Sequence, residues 1–383
     1  MNIAYNTLSE NPFGGSGSFD YFKEMAILLQ KLDSINSYYF IYSVNNKRYF
    51  KNNKTIYGGI SNEHQLLRIL SEQTLLPFSL LVNSIDVLFT SSSGGIAPYF
   101  LPKKIKLVLG IYATHHLKSR YIDFKKRLYR NTLLKRSIVR SDIIIVNSNV
   151  CKNDVLELGF VDPEKIHVIY HGIDERYFNN SPLSVTEIKY YEQFNIRAPY
   201  ILFVSIIYPY KNLHILMEAF GKFIQEHKTD HDLVIIGNFE GSQPPQNEYY
   251  QLLNSIAAKY DIQNRIKYLG KILKDKLRPF YKNADVYVQT SLYETFGKTT
   301  IEAMSCGCPV IGSQTSATPE ILDGAGLLYD PDDPDALKNR MEDIIFNDSL
   351  KNNNVQKGVE KAKAYSLTQE VKNYISIFNI LNN

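Results

Sequence analysis

Short runs of apolar residues alternate along the chain with longer segments in which apolar residues recur at helical spacing. Nearly every position within a run is apolar, which is typical of strands in a parallel sheet that helices cover on both faces. We predict twelve strands, at residues 2–6, 38–43, 86–90, 105–112, 142–148, 165–170, 200–205, 232–237, 265–270, 285–290, 309–313 and 326–330. The alternation of strands and helices predicts an α/β fold with doubly wound parallel sheets.

A polar stretch at residues 179–198 separates the first six predicted strands from the last six. With 383 residues the chain is too long for one ordinary core, so we expect two Rossmann-like domains. We place an N-terminal domain at 1–180, a linker at 181–198 and a C-terminal domain at 199–365, and we expect a last helix at 366–383 to pack back on the N-terminal domain. Ligands of doubly wound sheets bind at the carboxyl ends of the strands, which predicts a site in a cleft between two facing domains.

The composition is that of an ordinary globular enzyme, with 44% apolar and 21% charged residues. The three cysteines give no disulfide framework, and Cys306 and Cys308 are too closely spaced to predict a zinc site. The chain enters its first strand directly after Met1, and no apolar run reaches the roughly 18 residues of a membrane span. These features predict a soluble, cytoplasmic protein.

The segment 291–330 carries the clearest sign of a binding site. Glu294 and Glu302 lie on either side of Gly297, where a predicted strand gives way to a helix that we expect to begin near Thr299. The start of a helix presents free backbone N–H groups and the positive end of the helix dipole, which favours an anionic ligand. We therefore expect Glu302 in the first helical turn and both carboxylates facing that ligand. The alternative is that Thr299 and Glu302 form a capping box with no binding role.

An ordered set of motifs follows this helix: GCPVIGS at 307–313, a helix start at Thr318-Pro319-Glu320, and GAGLLYDPDDP at 324–334. The set resembles the C-terminal half of the retaining glycosyltransferases of family 4 (glycosyl transferases group 1), which have the GT-B fold. Upstream, residues 200–220 resemble the family's strand-loop-helix with a Lys-Asn pair, and residues 141–178 resemble the end of its N-terminal domain. The resemblance covers nearly the whole chain and implies two Rossmann-like domains that face each other across a cleft.

The loop at 11–22 follows the first strand and contains several glycines, among them Gly14 and Gly15. In the resembled family this loop approaches the donor diphosphate and the acceptor, so the resemblance implies that both glycines bind there. The residues alone fit a simple turn equally well, and the dinucleotide fingerprint G-x-G-x-x-G is absent.

The resemblance also implies that Lys211 contacts the donor phosphates from the start of a helix at 211–222. Taken alone, a lysine at such a position is more often a solvated surface charge. Just upstream, relatives commonly carry glycine and often arginine, whereas this chain has Ser205 and Ile206. The loss of an arginine removes a bidentate phosphate donor, and Lys298 is our candidate for the second cationic contact.

A histidine pair follows a predicted strand in the sequence YATHHL at 112–117. The pattern resembles the family's T-x-H-D-L and aligns His115 with a histidine that lies beside the donor sugar. His116 stands where the family has aspartate, which changes the hydrogen bonding open to the sugar or the acceptor. On the residues alone, a hydrogen-bonded loop is as good an interpretation.

The resemblance implies a role for each of these residues. Glu294, His115 and Lys211 are the expected catalytic residues, with Glu294 binding donor sugar hydroxyls, while Glu302 binds the ribose. The expected donor site comprises Gly14, Gly15, Ser205, Lys211, Asn212, Phe296, Gly297, Lys298, Thr299 and Glu302. No D-x-D motif stands where a GT-A enzyme would need one for Mn²⁺, and the aspartates at 332–333 are those of a helix start before Pro334. We therefore expect neither a metal ion nor another cofactor.

These residues predict a retaining glycosyltransferase that moves a sugar from a nucleotide-sugar, such as a UDP- or GDP-sugar. The expected acceptor is a saccharide or a lipid-linked saccharide in cell-surface polysaccharide or glycoconjugate biosynthesis. Two alternatives remain: a non-hydrolysing nucleotide-sugar epimerase, which would turn over donor without acceptor, and a sugar-binding protein without catalysis. A glycosidase is a poor fit, because nothing marks a carboxylate pair that acts as acid and nucleophile.

The positive charge of the chain is concentrated between Lys103 and Arg140. This stretch contains twelve Lys or Arg residues and one acid, Asp123, while the whole chain carries a net charge of +4. Residues 121–139 interleave these charges with apolar residues at helical spacing. A basic amphipathic helix can lie on an anionic membrane, so we predict peripheral docking on the inner face of the cell membrane. A solvated helix and nucleic-acid binding are the alternatives, and no nucleic-acid motif supports the second.

Overall fold

The computed structural model describes residues 1–8, 18–44, 46–50, 53–58, 65–91, 97–114, 124–196, 199–239 and 244–382. The chain forms two compact units. The first comprises Met1–Tyr170 together with Thr368–Asn383, and the second comprises His171–Leu367.

A sheet of seven parallel strands forms the centre of the first unit. The strands are β1 (Asn2–Asn6), β2 (Ser37–Tyr42), β3 (Lys54–Tyr57), β4 (Val87–Ser91), β5 (Lys106–Ile111), β6 (Ile143–Val146) and β7 (Ile166–Val168). Their order across the sheet is β3-β2-β1-β4-β5-β6-β7, so the winding reverses between β1 and β4. The helices are α1 (Ser18–Leu32), α2 (Gln65–Val82), α3 (Phe124–Arg140) and α4 (Asn149–Leu156). Side chains such as Ile3, Leu88 and Ile144 are fully buried, which explains why the strands read as continuous apolar runs.

The second unit is built in the same way around six parallel strands. These are β8 (Tyr200–Val204), β9 (Asp232–Ile236), β10 (Ile266–Gly270), β11 (Val286–Gln289), β12 (Val310–Ser313) and β13 (Leu327–Tyr329). The order β10-β9-β8-β11-β12-β13 places the reversal of winding between β8 and β11. The helices are α5 (Val185–Glu192), α6 (Leu213–His227), α7 (Pro244–Tyr260), α8 (Arg278–Asn283), α9 (Lys298–Ser305), α10 (Thr318–Leu322), α11 (Pro334–Ile345) and α12 (Asp348–Ala362). Phe220 and Phe223 of α6 belong to one buried core with Ile201 and Ile235 of the sheet.

The helix that ends the described chain, α13 (Leu367–Ile380), packs on the first unit. The hydroxyl of Tyr21 donates a hydrogen bond to Glu370, and the hydroxyls of Tyr112 and Tyr374 are hydrogen-bonded to each other. Buried polar and aromatic side chains thus join the end of the chain to the first sheet.

The predicted α/β class is confirmed, and every predicted strand is present with ends shifted by a few residues. The strand β3 was not predicted. It lies at the edge of the first sheet, and Ile56 is the buried residue of its four. An edge strand with one buried side chain has no apolar run, so the pattern that predicts interior strands does not detect it.

The segment 181–198, expected to be a linker, contains α5 and belongs to the second unit. Ser184 and Glu187 form a capping box at the start of this helix. The guanidinium of Arg278 donates to Glu187 at 2.7 Å and to the carbonyl oxygen of Asn179 at 3.1 Å. These bonds tie the segment to α8.

The basic helix predicted at 121–139 corresponds to α3. In its C-terminal half, Leu134 and Ile138 are buried in the core, whereas Lys135, Arg136 and Val139 are exposed. None of the helices in the described ranges combines the length and the apolar character required to cross a bilayer.

Candidate functional site

The winding of the second sheet reverses between β8 and β11, and the segments that leave these two strands carry a charged pair. Lys211 follows β8, Glu294 follows β11, and the Lys211 Nζ lies 2.6 Å from the Glu294 Oε2. Ligands of doubly wound sheets bind at this kind of position, beyond the carboxyl ends of the strands. The structure therefore brings together two predicted site residues that are 83 positions apart in sequence.

The side chains of Asn212, a predicted site residue, and of Thr290, which the sequence did not single out, hold the backbone around Lys211. Lys211 ends a 3₁₀ turn, Pro209–Lys211, and α6 begins two residues later, so the helix predicted at 211–222 starts at Leu213 and not at Lys211. Asn212 adopts a left-handed conformation with φ of 57°, and its side-chain amide donates to the carbonyl oxygen of Pro331 at 2.9 Å. The hydroxyl of Thr290 donates to the Lys211 carbonyl oxygen.

Two opposing effects set the pKa of Lys211. Burial lowers the pKa, because the side chain is 12% exposed, but the Glu294 carboxylate and the nearby Tyr210 outweigh burial and raise it. Lys211 is therefore a fixed cation at neutral pH. The Tyr210 ring also lies under the ammonium, with its centroid 5.0 Å from Nζ.

The loop that carries Glu294 is attached to the unit on two sides. The Leu292 N–H donates to the Tyr210 carbonyl oxygen at 2.9 Å, and the Ala317 N–H donates to the Glu294 carbonyl oxygen at 3.1 Å. The hydroxyl of Ser313 lies 2.8 Å from the Ser291 carbonyl oxygen. A loop fixed in this way places a carboxylate reproducibly, as a binding site requires.

Gly297 links this loop to α9 in the left-handed region, with φ of 89°, which residues other than glycine rarely adopt. Gly297 is the N-cap of α9 and no side chain caps the helix, so the capping-box interpretation of Thr299 and Glu302 is wrong. The Thr299 hydroxyl accepts a hydrogen bond from Tyr287 at 2.8 Å instead. The Thr300 N–H donates to the Gly297 carbonyl oxygen at 3.0 Å, so α9 begins with a backbone hydrogen bond and not with a side-chain cap.

Glu302 lies in the second turn of α9 rather than the first, and it is buried. The Tyr281 hydroxyl donates to its Oε2 at 3.0 Å. Burial raises the pKa of Glu302 to about 7, against the opposing effects of Lys274, of the Tyr281 hydrogen bond and of Lys298. Glu294 and Glu302 therefore do not share one environment.

The structure also describes the other predicted site residues of the second unit. Phe296 is buried, with its ring edge-on to His171 at 5.4 Å. Ser205 directly follows β8, and its carbonyl oxygen is so near Gly237 that a Cβ on Gly237 would lie 1.7 Å away. Lys298 is partly buried at the start of α9.

Predicted residues of the first unit lie outside the described residues: Gly14, Gly15, His115 and His116. Sequence reasoning also missed the polar residues that hold the Glu294 loop and Glu302, namely Thr290, Ser313 and Tyr281. Thr290 and Ser313 could have been found from the sequence, because each is a polar residue at the end of an apolar strand.

The aspartates at 332–333 are part of a helix start, as predicted. Asp333 is the N-cap of α11 and accepts hydrogen bonds from the N–H groups of Asp335 and Ala336, at 2.9 and 3.0 Å. The N-cap role accounts for the acidic sequence before Pro334.

One group of side chains in the described part of the chain has ligand atoms close enough together for a metal ion: Glu226, His227 and Glu342. The Lys338 ammonium lies among them, 2.6 Å from Glu226 and 2.8 Å from Glu342. Because this cation balances the carboxylates, we interpret the group as a network of ion pairs.

Comparison with known proteins identifies the family of the chain. The family described as "Glycosyl transferases group 1" matches residues 185–361, and "Glycosyltransferase Family 4" matches residues 41–177. The chain is 25% identical to O-antigen chain mannosyltransferase B of Escherichia coli over 253 residues. The aligned region covers 66% of this chain and 64% of that protein. The chain is 27% identical over 233 residues to a D-inositol 3-phosphate glycosyltransferase of Corynebacterium jeikeium, covering 60% and 55%. The chain thus spans less than two thirds of the length of these curated relatives.

Solved structures show the same fold over the full length. Sucrose-phosphate synthase from Thermosynechococcus elongatus has a TM-score of 0.76 at 17% identity, covering 100% of this chain and 99% of that one. Anabaena HepE in complex with UDP has a TM-score of 0.75 at 16% identity, covering 99% and 100%. At these identities the likeness concerns the fold alone. Together with the two family matches, it shows that the chain belongs to glycosyltransferase family 4 (glycosyl transferases group 1) and has the GT-B fold.

Proposed function

We propose that this chain is a retaining glycosyltransferase that transfers a sugar from a nucleotide-sugar to a saccharide or lipid-linked saccharide acceptor. The observation that supports the proposal most is the Lys211–Glu294 ion pair where the winding of the second sheet reverses. Glu294 lies on the loop that leads into the start of α9. An ammonium and the N–H groups at a helix start suit a diphosphate, and a carboxylate suits sugar hydroxyls. The site thus offers a contact for each half of a nucleotide-sugar.

The chemistry of transfer assigns these groups their roles. When the bond between the anomeric carbon and the phosphate oxygen breaks, negative charge develops on the leaving diphosphate. Lys211 and the N–H groups at the start of α9 stabilise that charge, and Lys298 supplies a second cation. These groups do the work that a metal ion does in other transferases, so we propose that the reaction is independent of metal.

The two glutamates bind different parts of the donor in this proposal. Glu294 accepts hydrogen bonds from the sugar hydroxyls, and its ion pair with Lys211 fixes its position. Glu302 binds the ribose. His115 lies beside the donor sugar and Gly14 and Gly15 approach the diphosphate, as the family resemblance implies.

Relatives support the classes of donor and acceptor. HepE was solved in complex with UDP and, in a second structure, with UDP-glucose, which favours a UDP-sugar or the related GDP-sugars. Curated relatives named as O-antigen chain mannosyltransferases support a role in cell-surface polysaccharide biosynthesis. We propose that the enzyme acts on the cytoplasmic side of the membrane, where nucleotide-sugars are made.

A donor panel tests the proposal. Nucleotide release is measured for UDP- and GDP-sugars with and without lipid-linked saccharide acceptors, and the product is analysed by NMR for its anomeric configuration. We expect release that depends on acceptor and a product with the anomeric configuration of the donor. Isomerised donor without acceptor would indicate an epimerase, and binding without turnover would indicate a sugar-binding protein; either result would contradict the proposal.

Metal independence is tested in the same assay. We expect EDTA to leave the rate unchanged, because the cations of the site are side chains. A rate that vanishes with EDTA and returns with Mn²⁺ would refute this part of the proposal.

A further inference from the structure

The helix α2 of the first unit exposes an apolar face along its length. Its inner side contributes Leu76 and Leu80, both fully buried, to the core under the sheet. Its outer side carries six large exposed apolar residues: Leu67, Leu70, Leu75, Phe78, Leu81 and Val82. Phe78 alone is 70% exposed. Monomeric proteins rarely expose a contiguous apolar patch of this kind unless the patch binds something.

An aromatic pair extends this face beyond the helix. The Tyr99 N–H donates to the Oε1 of Gln73, on the flank of α2, at 2.6 Å. The neighbouring Phe100 packs edge-on against the Tyr99 ring, with centroids 4.9 Å apart, and is 76% exposed. Phe100 therefore projects from a loop that is fixed to α2.

Basic residues lie beside the aromatic pair. The Arg136 guanidinium of α3 stacks on the Tyr99 ring at 3.8 Å from its centroid, and its Nε donates to the Tyr99 carbonyl oxygen at 3.1 Å. Lys103 and Lys104 are exposed a few residues after Phe100, and Lys135 is exposed next to Arg136. We call these four basic residues, with Tyr99, Phe100 and the six apolar residues of α2, the docking surface.

We propose that the docking surface binds an anionic lipid bilayer. The apolar face of α2 and Phe100 lie at the boundary between headgroups and acyl chains, and the basic residues contact lipid phosphates. Only one face of α2 is free for lipid, because the other belongs to the core, so the helix lies in the plane of the membrane. The apolar part comes from α2 and Phe100 and not from α3, whose Leu134 and Ile138 are buried.

Charge complementarity favours a bilayer over a second copy of the chain. A twofold contact through the docking surface would bring the same basic residues of two chains together, which is repulsive. Anionic lipid presents opposite charge beside apolar chains, which matches both parts of the surface. Binding to a bilayer does not depend on the sugar-transfer chemistry, so the two proposals are tested independently.

Single tryptophans test the apolar part, since the chain contains no tryptophan. F78W and F100W are each mixed at low salt with vesicles of phosphatidylglycerol and phosphatidylcholine. We expect a blue shift of the emission, which V185W, on an equally exposed site of the second unit, should not show. No shift with anionic vesicles would overturn the proposal. A blue shift that grows with protein concentration in the absence of vesicles would overturn it in favour of a second copy.

Charge reversal tests the basic part by co-sedimentation with the same vesicles. K103E/K104E should lower the partition coefficient by about 30-fold or more, because each basic residue near the surface contributes ~1 kcal/mol and the change also adds repulsion. K189E/K357E makes the same change in net charge on exposed residues of the second unit and should have a much smaller effect, because neither lysine belongs to the docking surface. Equal losses for the two pairs would show attraction to net charge alone and would overturn the proposal.

Discussion

Glu294, on the loop before α9, and Glu302, inside α9, belong to one sequence motif, but their carboxylates lie in different environments. Glu294 keeps 23% of its side chain exposed and forms an ion pair with Lys211, whereas buried Glu302 accepts a hydrogen bond from Tyr281. In the first region the pair raises the pKa of Lys211, and in the second burial raises the pKa of Glu302 to about 7. Spacing in sequence therefore does not make the two glutamates equivalent, and their responses to mutation and pH should differ.

The largest effect should come from K211A. This change leaves the Glu294 carboxylate without its ion pair and the donor diphosphate without a cation. We expect kcat/KM to fall about 100-fold or more, which corresponds to the ~3 kcal/mol of a hydrogen bond between charged groups. The control K222A breaks a more exposed pair with Asp335, 2.7 Å away on the same unit. It should retain nearly full activity, and equal losses in the two variants would argue against a role for Lys211 in the site.

E294A should have the next largest effect, a loss of about 10- to 150-fold in turnover with the fold intact. The carboxylate is half-buried, and its loss removes a hydrogen-bond acceptor for the sugar. E226A is the matched control, because Glu226 also pairs with a lysine, Lys338, at 2.6 Å. Turnover of E294A close to that of E226A, measured with the donor found in the panel, would exclude Glu294 from sugar binding.

Glu302 should make the free energy of unfolding depend on pH. Its pKa is about 7 in the folded chain and 4.5 ordinarily, so between these values the unfolded chain releases a proton that the folded chain keeps. The free energy of unfolding therefore falls as pH rises through this window and levels off above it, by a little over ~3 kcal/mol in total. E302Q removes this term, so relative to the wild type it should gain ~2–3 kcal/mol between pH 5 and pH 8 in urea denaturation.

E360Q, on an exposed site of α12, provides the control for this experiment and should follow the wild type at every pH. A pH-independent difference between E302Q and the wild type would show that the Glu302 pKa is close to its ordinary value. For catalysis, the proposed ribose contact predicts that E302A loses turnover as E294A does, by about 10-fold or more.

The smallest effect should come from Y281F, which removes the hydroxyl bound to Glu302 at 3.0 Å. We expect a loss of ~1 kcal/mol in the free energy of unfolding. Since this hydrogen bond lowers the pKa of Glu302, its loss should also move the pH window upward. Y287F removes a hydroxyl bound to Thr299 at 2.8 Å and should cost a similar amount without moving the window. Identical pH profiles for the two variants would show that the Tyr281 hydroxyl does not affect the pKa of Glu302.

The fold could be predicted from sequence because parallel strands buried on both faces leave continuous apolar runs. The same rule explains the miss at β3, where a single buried residue, Ile56, leaves no run. Lys211 and Glu294 could be named from their motifs. Their contact could not, because it depends on the adjacency of β8 and β11, which are far apart in the chain.

The environment of Glu302 was not predictable for a different reason. The expectation that Glu302 lies in the first turn placed the helix start at Thr299, one residue late. The start is set by the backbone conformation of Gly297, which is left-handed. The exposed apolar residues of α2 were not predicted either. Apolar residues occur on both faces of α2, so the helical pattern alone cannot tell which of them the core buries.

The most direct test of the central claim, that Lys211 and Glu294 form the donor site, is calorimetric binding of a nucleoside diphosphate and of the free nucleoside. The base is the one that the donor panel identifies. K211A should weaken binding of the diphosphate about 10- to 100-fold relative to the wild type and leave nucleoside binding within about twofold. Equal losses for both ligands, or no loss for either, would place Lys211 away from the phosphates and contradict the account.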